Sequence, residues 1–379
     1  MNKPLQLINN LTPEQFLAKY WQKKPLLIKN AMPNFTGLLS PNDLAGLACE
    51  DDVEARIVKQ SKGKWSVQKS PFDEAFFAKL PAKNWTLLVQ SVNHHLIEAA
   101  DLLAQFNFIP HARLDDLMVS YAPVGGGVGA HVDSYDVFLL QGTGRRRWKI
   151  SAQTDLSWVE DAPLKTLKNF VSEQEWLLEA GDMLYLPPQI AHCGISESDD
   201  CMTYSIGFSA PKTQELQHEF LSYLQDNISA EGLYVDPDLK LQTHPAEISA
   251  DMINNVSQML QKITWNKDNV ADFLGKYLTE PKLDMVFEPN RQLSKTKFIE
   301  SLTQKNLALD LKSHLLFTEN HFYINGEKIN LPTHLIILMR DLANQRYLNT
   351  ISLQANIHED LADVLHESFL AGLVQFKLD

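Results

Sequence analysis

Between residues 115 and 210 the apolar positions come in short runs, Asp116–Tyr121, Asp136–Leu140, Arg145–Ile150, Met183–Leu186 and Met202–Phe208. Turn signals separate them: Pro123-Val124-Gly125-Gly126-Gly127, Gly142-Thr143-Gly144 and Glu179-Ala180-Gly181-Asp182. Such runs predict the strands of a sandwich or barrel. Upstream the period is helical. In Thr12-Pro13-Glu14-Gln15-Phe16-Leu17, Thr12 is placed to cap a helix, Pro13 suits its first position, and Phe16, Leu17 and Tyr20 are spaced for burial. Residues 1–100 are therefore expected to form an accessory region packed on a barrel at 101–210.

Helical spacing returns after Pro211. In Gln214–Asn227 the residues Leu216, Phe220, Leu221 and Leu224 make one stripe, and further helices are expected over Ser249–Lys262 and Asn269–Leu278. Stripes of this kind in 211–300 serve a core or a subunit contact. Residues 301–379 read as a small α+β unit with a hairpin over 322–329 about Asn325-Gly326. A winged helix is plausible there. From Glu300 to Asp379 ten acidic residues face six Lys plus Arg, a balance of −4, so the basic face of a DNA-binding wing is missing.

Composition adds limits. At 379 residues the chain is long for one domain, and a formal charge of −13 disfavours nucleic-acid binding through the whole surface and suits a basic protein partner. Three cysteines are too few for a disulfide scaffold and fit a reducing compartment. No apolar run is long enough for a membrane span, and no export signal core follows Met1. A cytoplasmic location is expected.

The chemistry is concentrated in Gly125-Gly126-Gly127-Val128-Gly129-Ala130-His131-Val132-Asp133 and, 61 residues after His131, in Pro187-Pro188-Gln189-Ile190-Ala191-His192. On an extended segment, residues i and i+2 point the same way, so His131 and Asp133 can reach one ion. With His192 they offer two imidazoles and a carboxylate, the set that occupies one face of octahedral Fe(II) and leaves positions open for a 2-oxo acid and dioxygen. The same three ligands would also build a catalytic zinc site. Arg146 separates the alternatives. Strand alternation sends it opposite to Arg145 and Arg147, where its cation can meet the distal carboxylate of 2-oxoglutarate, which a zinc hydrolase does not require. The glycines match no phosphate loop and are expected to let the backbone pass close to a cofactor.

These residues resemble the JmjC-type, cupin-fold 2-oxoglutarate oxygenases, and among them the bacterial ribosomal oxygenases that hydroxylate an arginine of a large-subunit ribosomal protein. The resemblance is carried by Tyr20-Trp21-Gln22-Lys23-Lys24-Pro25-Leu26, Gly125–Asp133, Tyr135-Asp136-Val137-Phe138, the segment 141–148 (Gln-Gly-Thr-Gly-Arg-Arg-Arg-Trp), the segment 181–188 and Tyr204-Ser205-Ile206-Gly207-Phe208. It implies a mainly β core, a double-stranded β-helix, with a helical dimerisation segment at 211–300 and a winged-helix-like C-terminal domain at 301–379. It also implies catalytic Fe(II) on His131, Asp133 and His192, and 2-oxoglutarate and O2 as co-substrates. The oxo acid's distal carboxylate would lie on Arg146, with Ser120 as a hydroxyl partner and Thr203 or Ser205 nearer the metal. An arginyl substrate needs anionic or aromatic contacts, for which Asp116, Tyr135 and Asp136 are candidates. The resemblance further implies a homodimer, and the acidic balance of the last segment predicts no direct DNA binding. Two other classes remain: a ligand-responsive cupin regulator that binds DNA, and a small-molecule cupin enzyme indifferent to Arg146.

Overall fold

The computed structural model describes residues 3–227, 231–282, 285–290, 292–319, 321–355 and 359–377. The chain forms two compact units, Met1–Ala210 with Leu283–Glu288, and Pro211–Lys282 with Pro289–Asp379.

The first unit is built on eleven strands: β1 (Leu26–Ile28), β2 (Ala55–Ser61), β3 (Lys64–Lys69), β4 (Trp85–Val89), β5 (Leu114–Ala122), β6 (Val137–Gln141), β7 (Arg146–Ser151), β8 (Gln174–Leu178), β9 (Met183–Leu186), β10 (Ala191–Ser196) and β11 (Cys201–Phe208). Eight make a large sheet in the order β1-β9-β6-β11-β5-β4-β2-β3, and β10-β7-β8 make a smaller one. All these pairs are antiparallel. The period-two alternation divides each strand between two cores. Val137, Leu139, Leu184 and Leu186 of the large sheet pack with Trp148, Ile150 and Leu178 of the small one, which closes the barrel. Phe138, Leu140, Met183, Tyr185, Tyr204 and Ile206 point outward, where Ile8, Phe16, Leu44 and Phe106 cover them. Burial on both faces explains why β6 and β9 read as unbroken apolar runs.

The N-terminal region is less separable than its sequence suggests. Helix Pro13–Lys19 begins as expected, with Thr12 accepting from the Gln15 amide at 3.2 Å and the Gln15 side chain reaching back to the Thr12 amide at 3.0 Å. Residues 26–89, however, supply β1 to β4, half of the large sheet. The expected boundary at residue 100 therefore falls inside one compact unit. β2 and β3 escaped the sequence pattern because they carry Lys, Gln and Ser among short apolar runs, and β1 and β4 because they are only three and five residues long.

Asp136, expected to meet substrate, lies beneath the large sheet instead. It is fully buried, accepts from Tyr185 Oη at 2.5 Å and Gln22 Nε2 at 3.0 Å, and pairs with Arg113 at 3.6 Å. Its position before β6 puts its side chain on the parity of Phe138, away from the barrel interior. Asp136→Ala strands these partners in a low-dielectric core, which costs roughly 3 kcal/mol. In a calorimetric scan the variant is expected to melt about 10 °C lower. Whatever remains folded should keep the wild-type KM for a 2-oxo acid.

In the second unit the helices run Thr213–Asn227, Ala250–Leu260, Lys267–Thr279, Lys295–Leu302, Ile336–Gln345, Thr350–Ala355 and Glu359–Leu370. Two small sheets accompany them: β12 (Asn306–Leu309) lies between β16 (Tyr347–Leu348) and β17 (Val374–Lys377), and β13 (Leu315–Phe317), β14 (Phe322–Ile324) and β15 (Glu327–Ile329) form a meander. The Asn325-Gly326 turn joins β14 to β15, both residues in the left-handed region at φ 47° and 86°. Phe298, Leu307, Leu342, Leu361 and Leu365 form the core of residues 293–376. The expected division at residue 300 is also crossed. Helix Lys267–Thr279 packs on the meander so closely that a Cβ on Gly275 would lie 2.3 Å from the Tyr323 ring, and Asp272 holds Tyr323 and Lys328 at 3.1 and 3.0 Å.

Candidate metal centre

His131 and His192 are joined by their backbones before their side chains meet. The His131 amide donates to the His192 carbonyl at 2.9 Å and the His192 amide returns the bond at 2.8 Å. This bridge ties the end of the glycine loop to β10. Asp133 is fixed in turn by the Gln189 amide, which donates to its carbonyl at 2.9 Å. One potential ligand atom from each of the three side chains lies within 4.8 Å of the other two. His192 Nε2 is 3.5 Å from one Asp133 oxygen, and His131 Nε2 is 4.0 Å from the other. Two metal bonds of about 2.0–2.2 Å can span such gaps.

The donor chemistry fits a divalent ion. Nδ1 of His131 lies 3.0 Å from the Gly129 carbonyl and Nδ1 of His192 lies 2.9 Å from that of Ile190. A carbonyl only accepts, so each Nδ1 carries the proton and each Nε2 keeps a free lone pair toward the cluster. Burial lowers the His192 pKa to about 4, with His131 pushing the same way and Asp133 opposing. The imidazole is therefore the neutral, ligating form at physiological pH.

The glycines upstream also serve packing within the protein. A Cβ on Gly126 would lie 2.1 Å from the Trp85 carbonyl oxygen, and one on Gly127 would lie 2.5 Å from that of Gly194. They let the loop press against neighbouring backbone, with Gly125 and Gly126 both bonded to Ser196 at 2.9 Å. The rigid approach places His131.

Arg146 faces the barrel interior and is 4% exposed, whereas Arg147 faces out and pairs with Glu175 and Glu197. Arg146 Nε lies 3.4 Å from Cys201 Sγ, and its buried Nη2 has no hydrogen-bond partner. A buried, unpaired guanidinium nitrogen marks a place for an anion. Ser120 stands directly across from Thr203, and Thr203 from Gln141, in one cross-strand row whose side chains share the inward face. Thr203 donates to Gln141 Oε1 at 3.2 Å, and Ser205 lies inward one step further along β11.

Comparison with known proteins agrees with this geometry. Residues 101–216 match the JmjC domain family and residues 259–374 match the ROXA-like winged helix. The chain is 35% identical over 320 residues to the ribosomal protein uL16 3-hydroxylase of Escherichia coli strain K12, covering 84% of this chain and 85% of that one. It is 44% identical over 352 residues to a probable ribosomal oxygenase of Haemophilus influenzae, covering 85% and 83%. The crystal structure of E. coli YcfD superposes with a TM-score of 0.87 at 32% identity, over 100% of both chains. A second YcfD structure, in complex with cobalt and 2-oxoglutarate, gives 0.82 at 32% identity over 96% of this chain and 98% of that one. The chain belongs to the bacterial JmjC ribosomal oxygenases.

As a 2-oxoglutarate oxygenase it also needs a cleft that presents substrate to the metal. Tyr135 is 39% exposed, and burial of its hydroxyl, then the Asp133, Asp116 and Asp115 carboxylates, raises its pKa, so the phenol stays protonated and can donate. Asp116 faces inward on β5 and is half-buried; its Oδ2 accepts from the Ser91 amide at 2.8 Å, while Oδ1 is turned to Gly207. Tyr135 thus lies within the field of the Asp133 and Asp116 carboxylates, whereas Asp136 is buried beneath the large sheet. Sequence reasoning missed Cys201 and Gln141, which brace Arg146 and Thr203, and Trp148, whose ring lies 5.9 Å from that of His192. Their inward parity on β6, β7 and β11 was the available signal.

Proposed function

We propose that this oxygenase hydroxylates an arginine side chain of a large-subunit ribosomal protein, uL16 being the substrate named for its E. coli relative. The observation that carries the chemistry is the convergence of His131, Asp133 and His192 on the same barrel interior as the partnerless Nη2 of Arg146. When bound there, Fe(II) with 2-oxoglutarate and O2 supplies the oxidation, one oxygen atom passing to a substrate C–H bond and the other to succinate as carbon dioxide leaves.

The chain's own residues bind, orient and shield. The two imidazoles and one carboxylate hold the ion, and Asp133 offsets one of its charges. Arg146 anchors the distal carboxylate with the Ser120 hydroxyl beside it, while Thr203 and Ser205 line the approach toward the metal. The Asp116 carboxylate and the Tyr135 ring are the anionic and aromatic contacts assigned to the substrate guanidinium. The net charge of −13 favours encounter with a basic protein.

A small-molecule cupin enzyme would leave the buried Arg146 without an anion, and the acidic balance of 300–379 speaks against a DNA-binding regulator. Incubating the Fe(II)-loaded protein with 2-oxoglutarate and separated large-subunit ribosomal proteins should add one oxygen atom to an arginine of one of them, read by fragment mass spectrometry. Gain on another residue type, or none, would contradict the assignment.

The protein is further proposed to work in the cytoplasm as a homodimer. Helix Ala250–Leu260 buries none of its residues, and Met252, Ile253, Met259 and Leu260 are exposed on it. An uncovered face of this kind suits an isologous helix contact. Ile253→Asp combined with Leu260→Asp is expected to shift the protein from dimer to monomer in light scattering. A dimer that survives the pair would place the contact elsewhere.

A further inference from the structure

Three buried side-chain polar atoms on inward-facing positions of the barrel have no hydrogen-bond partner: Thr86 Oγ1, Arg146 Nη2 and Trp148 Nε1. Arg146 is expected to meet the oxo acid. Trp148 needs its own explanation, because a buried indole N–H ordinarily finds an acceptor and leaving it bare costs about 1–3 kcal/mol.

Its surroundings narrow the choice. Trp148 is 5% exposed and lies on β7 two residues after Arg146, so both side chains enter the barrel from the same face of the same strand. Across the ladder it faces Gly194, and a Cβ there would lie 2.7–3.0 Å from Cη2, Cζ3 and Cε3 of the indole. The six-membered edge is thus pressed against β10, and the edge that carries Nε1 is turned away from that strand. The ring centroid is 5.8 Å from the Arg146 guanidinium carbon on one side and 5.9 Å from the His192 ring on the other. Trp148 therefore spans the interval between the metal ligands and the anion anchor.

We propose that Trp148 is a binding and specificity residue for the oxo acid: its indole N–H donates to the same distal carboxylate that Arg146 holds, while its ring walls the passage from there to the metal. This rests on the 2-oxoglutarate reading of the barrel. A carboxylate has two oxygens and accepts one charge-assisted bond from each donor, so the pair selects 2-oxo acids with a second carboxylate over those that end in a methyl group.

The test uses the full chain loaded with Zn(II), a diamagnetic and redox-inert stand-in, and reads binding rather than turnover. In a nitrogen-15 spectrum the Trp148 indole resonance is identified by its absence from Trp148→Phe and, independently, by its paramagnetic shift when Co(II) replaces Zn(II). Adding 2-oxoglutarate should move its proton downfield, and 2-oxobutyrate, which lacks the distal carboxylate, should not. By calorimetry Trp148→Phe should weaken 2-oxoglutarate about tenfold or more, as expected for one hydrogen bond to a charged group, and leave 2-oxobutyrate and Zn(II) within about twofold. An indole resonance unmoved by 2-oxoglutarate that binds, or equal weakening of both acids, overturns the assignment. Absence of 2-oxoglutarate binding by the wild-type protein would instead sink the reading on which it rests.

Discussion

Asp133→Ala is expected to abolish turnover, with succinate formation falling by at least about 10³-fold and Co(II) no longer retained through dialysis. The size of the effect follows from geometry. Asp133 is the anionic member of the cluster, and its two oxygens face the two imidazole nitrogens at 3.5 and 4.0 Å. Without it, the two imidazoles must hold a divalent cation alone, at the end of a barrel where charge is costly. The fold should survive, because what connects this segment to β10 is the backbone bridge between His131 and His192 and the Gln189 amide on the Asp133 carbonyl, all of which alanine retains. Unchanged circular dichroism with lost cobalt absorption is the expected pair of results. A variant that turns over normally would remove Asp133 from the metal site.

Arg146→Ala should act on the co-substrate and not on the metal. The guanidinium is 4% exposed, its Nη2 has no partner, and no other cation is seen on the inward face of β7 or β10. A distal carboxylate buried without that cation costs roughly 3 kcal/mol, which corresponds to about 10²-fold in KM for 2-oxoglutarate. Co(II) affinity should stay as in wild type, and Arg146→Lys should recover only part of the loss because an ammonium cannot match the planar fork. A KM that rises less than about threefold would remove Arg146 from the distal-carboxylate site.

The His131–Asp133 pair and the inward turn of Arg146 were legible in the sequence because each depends on short-range geometry. His131 and Asp133 are two residues apart on an extended segment, and the alternation of Arg145, Arg146 and Arg147 left one side chain to face in. Asp136 shows where that reasoning ends. It also follows the metal motif closely, but it precedes a strand buried on both faces, so sequence could not tell which core its side chain enters. Its partners Gln22, Arg113 and Tyr185 come from three distant segments. The four N-terminal strands were hidden for a similar reason: they join the large sheet through pairings such as Leu88 with Ser120 and Leu26 with Tyr185, and strand order is not written in local periodicity. Elements of the second unit were easier, since Ser249 marks a helix start and the Asn325-Gly326 turn a hairpin locally.

The reaction proposed for this metal centre transfers an oxygen atom from O2 to a ribosomal-protein arginine while 2-oxoglutarate is consumed. Isotopically heavy dioxygen tests it most directly. With Fe(II)-loaded protein, 2-oxoglutarate and large-subunit ribosomal proteins, heavy oxygen should appear in one modified arginine and in succinate, in equal amounts, and in neither product with Asp133→Ala. Label absent from the arginine, or a modified arginine whose oxygen comes from water, would contradict the account.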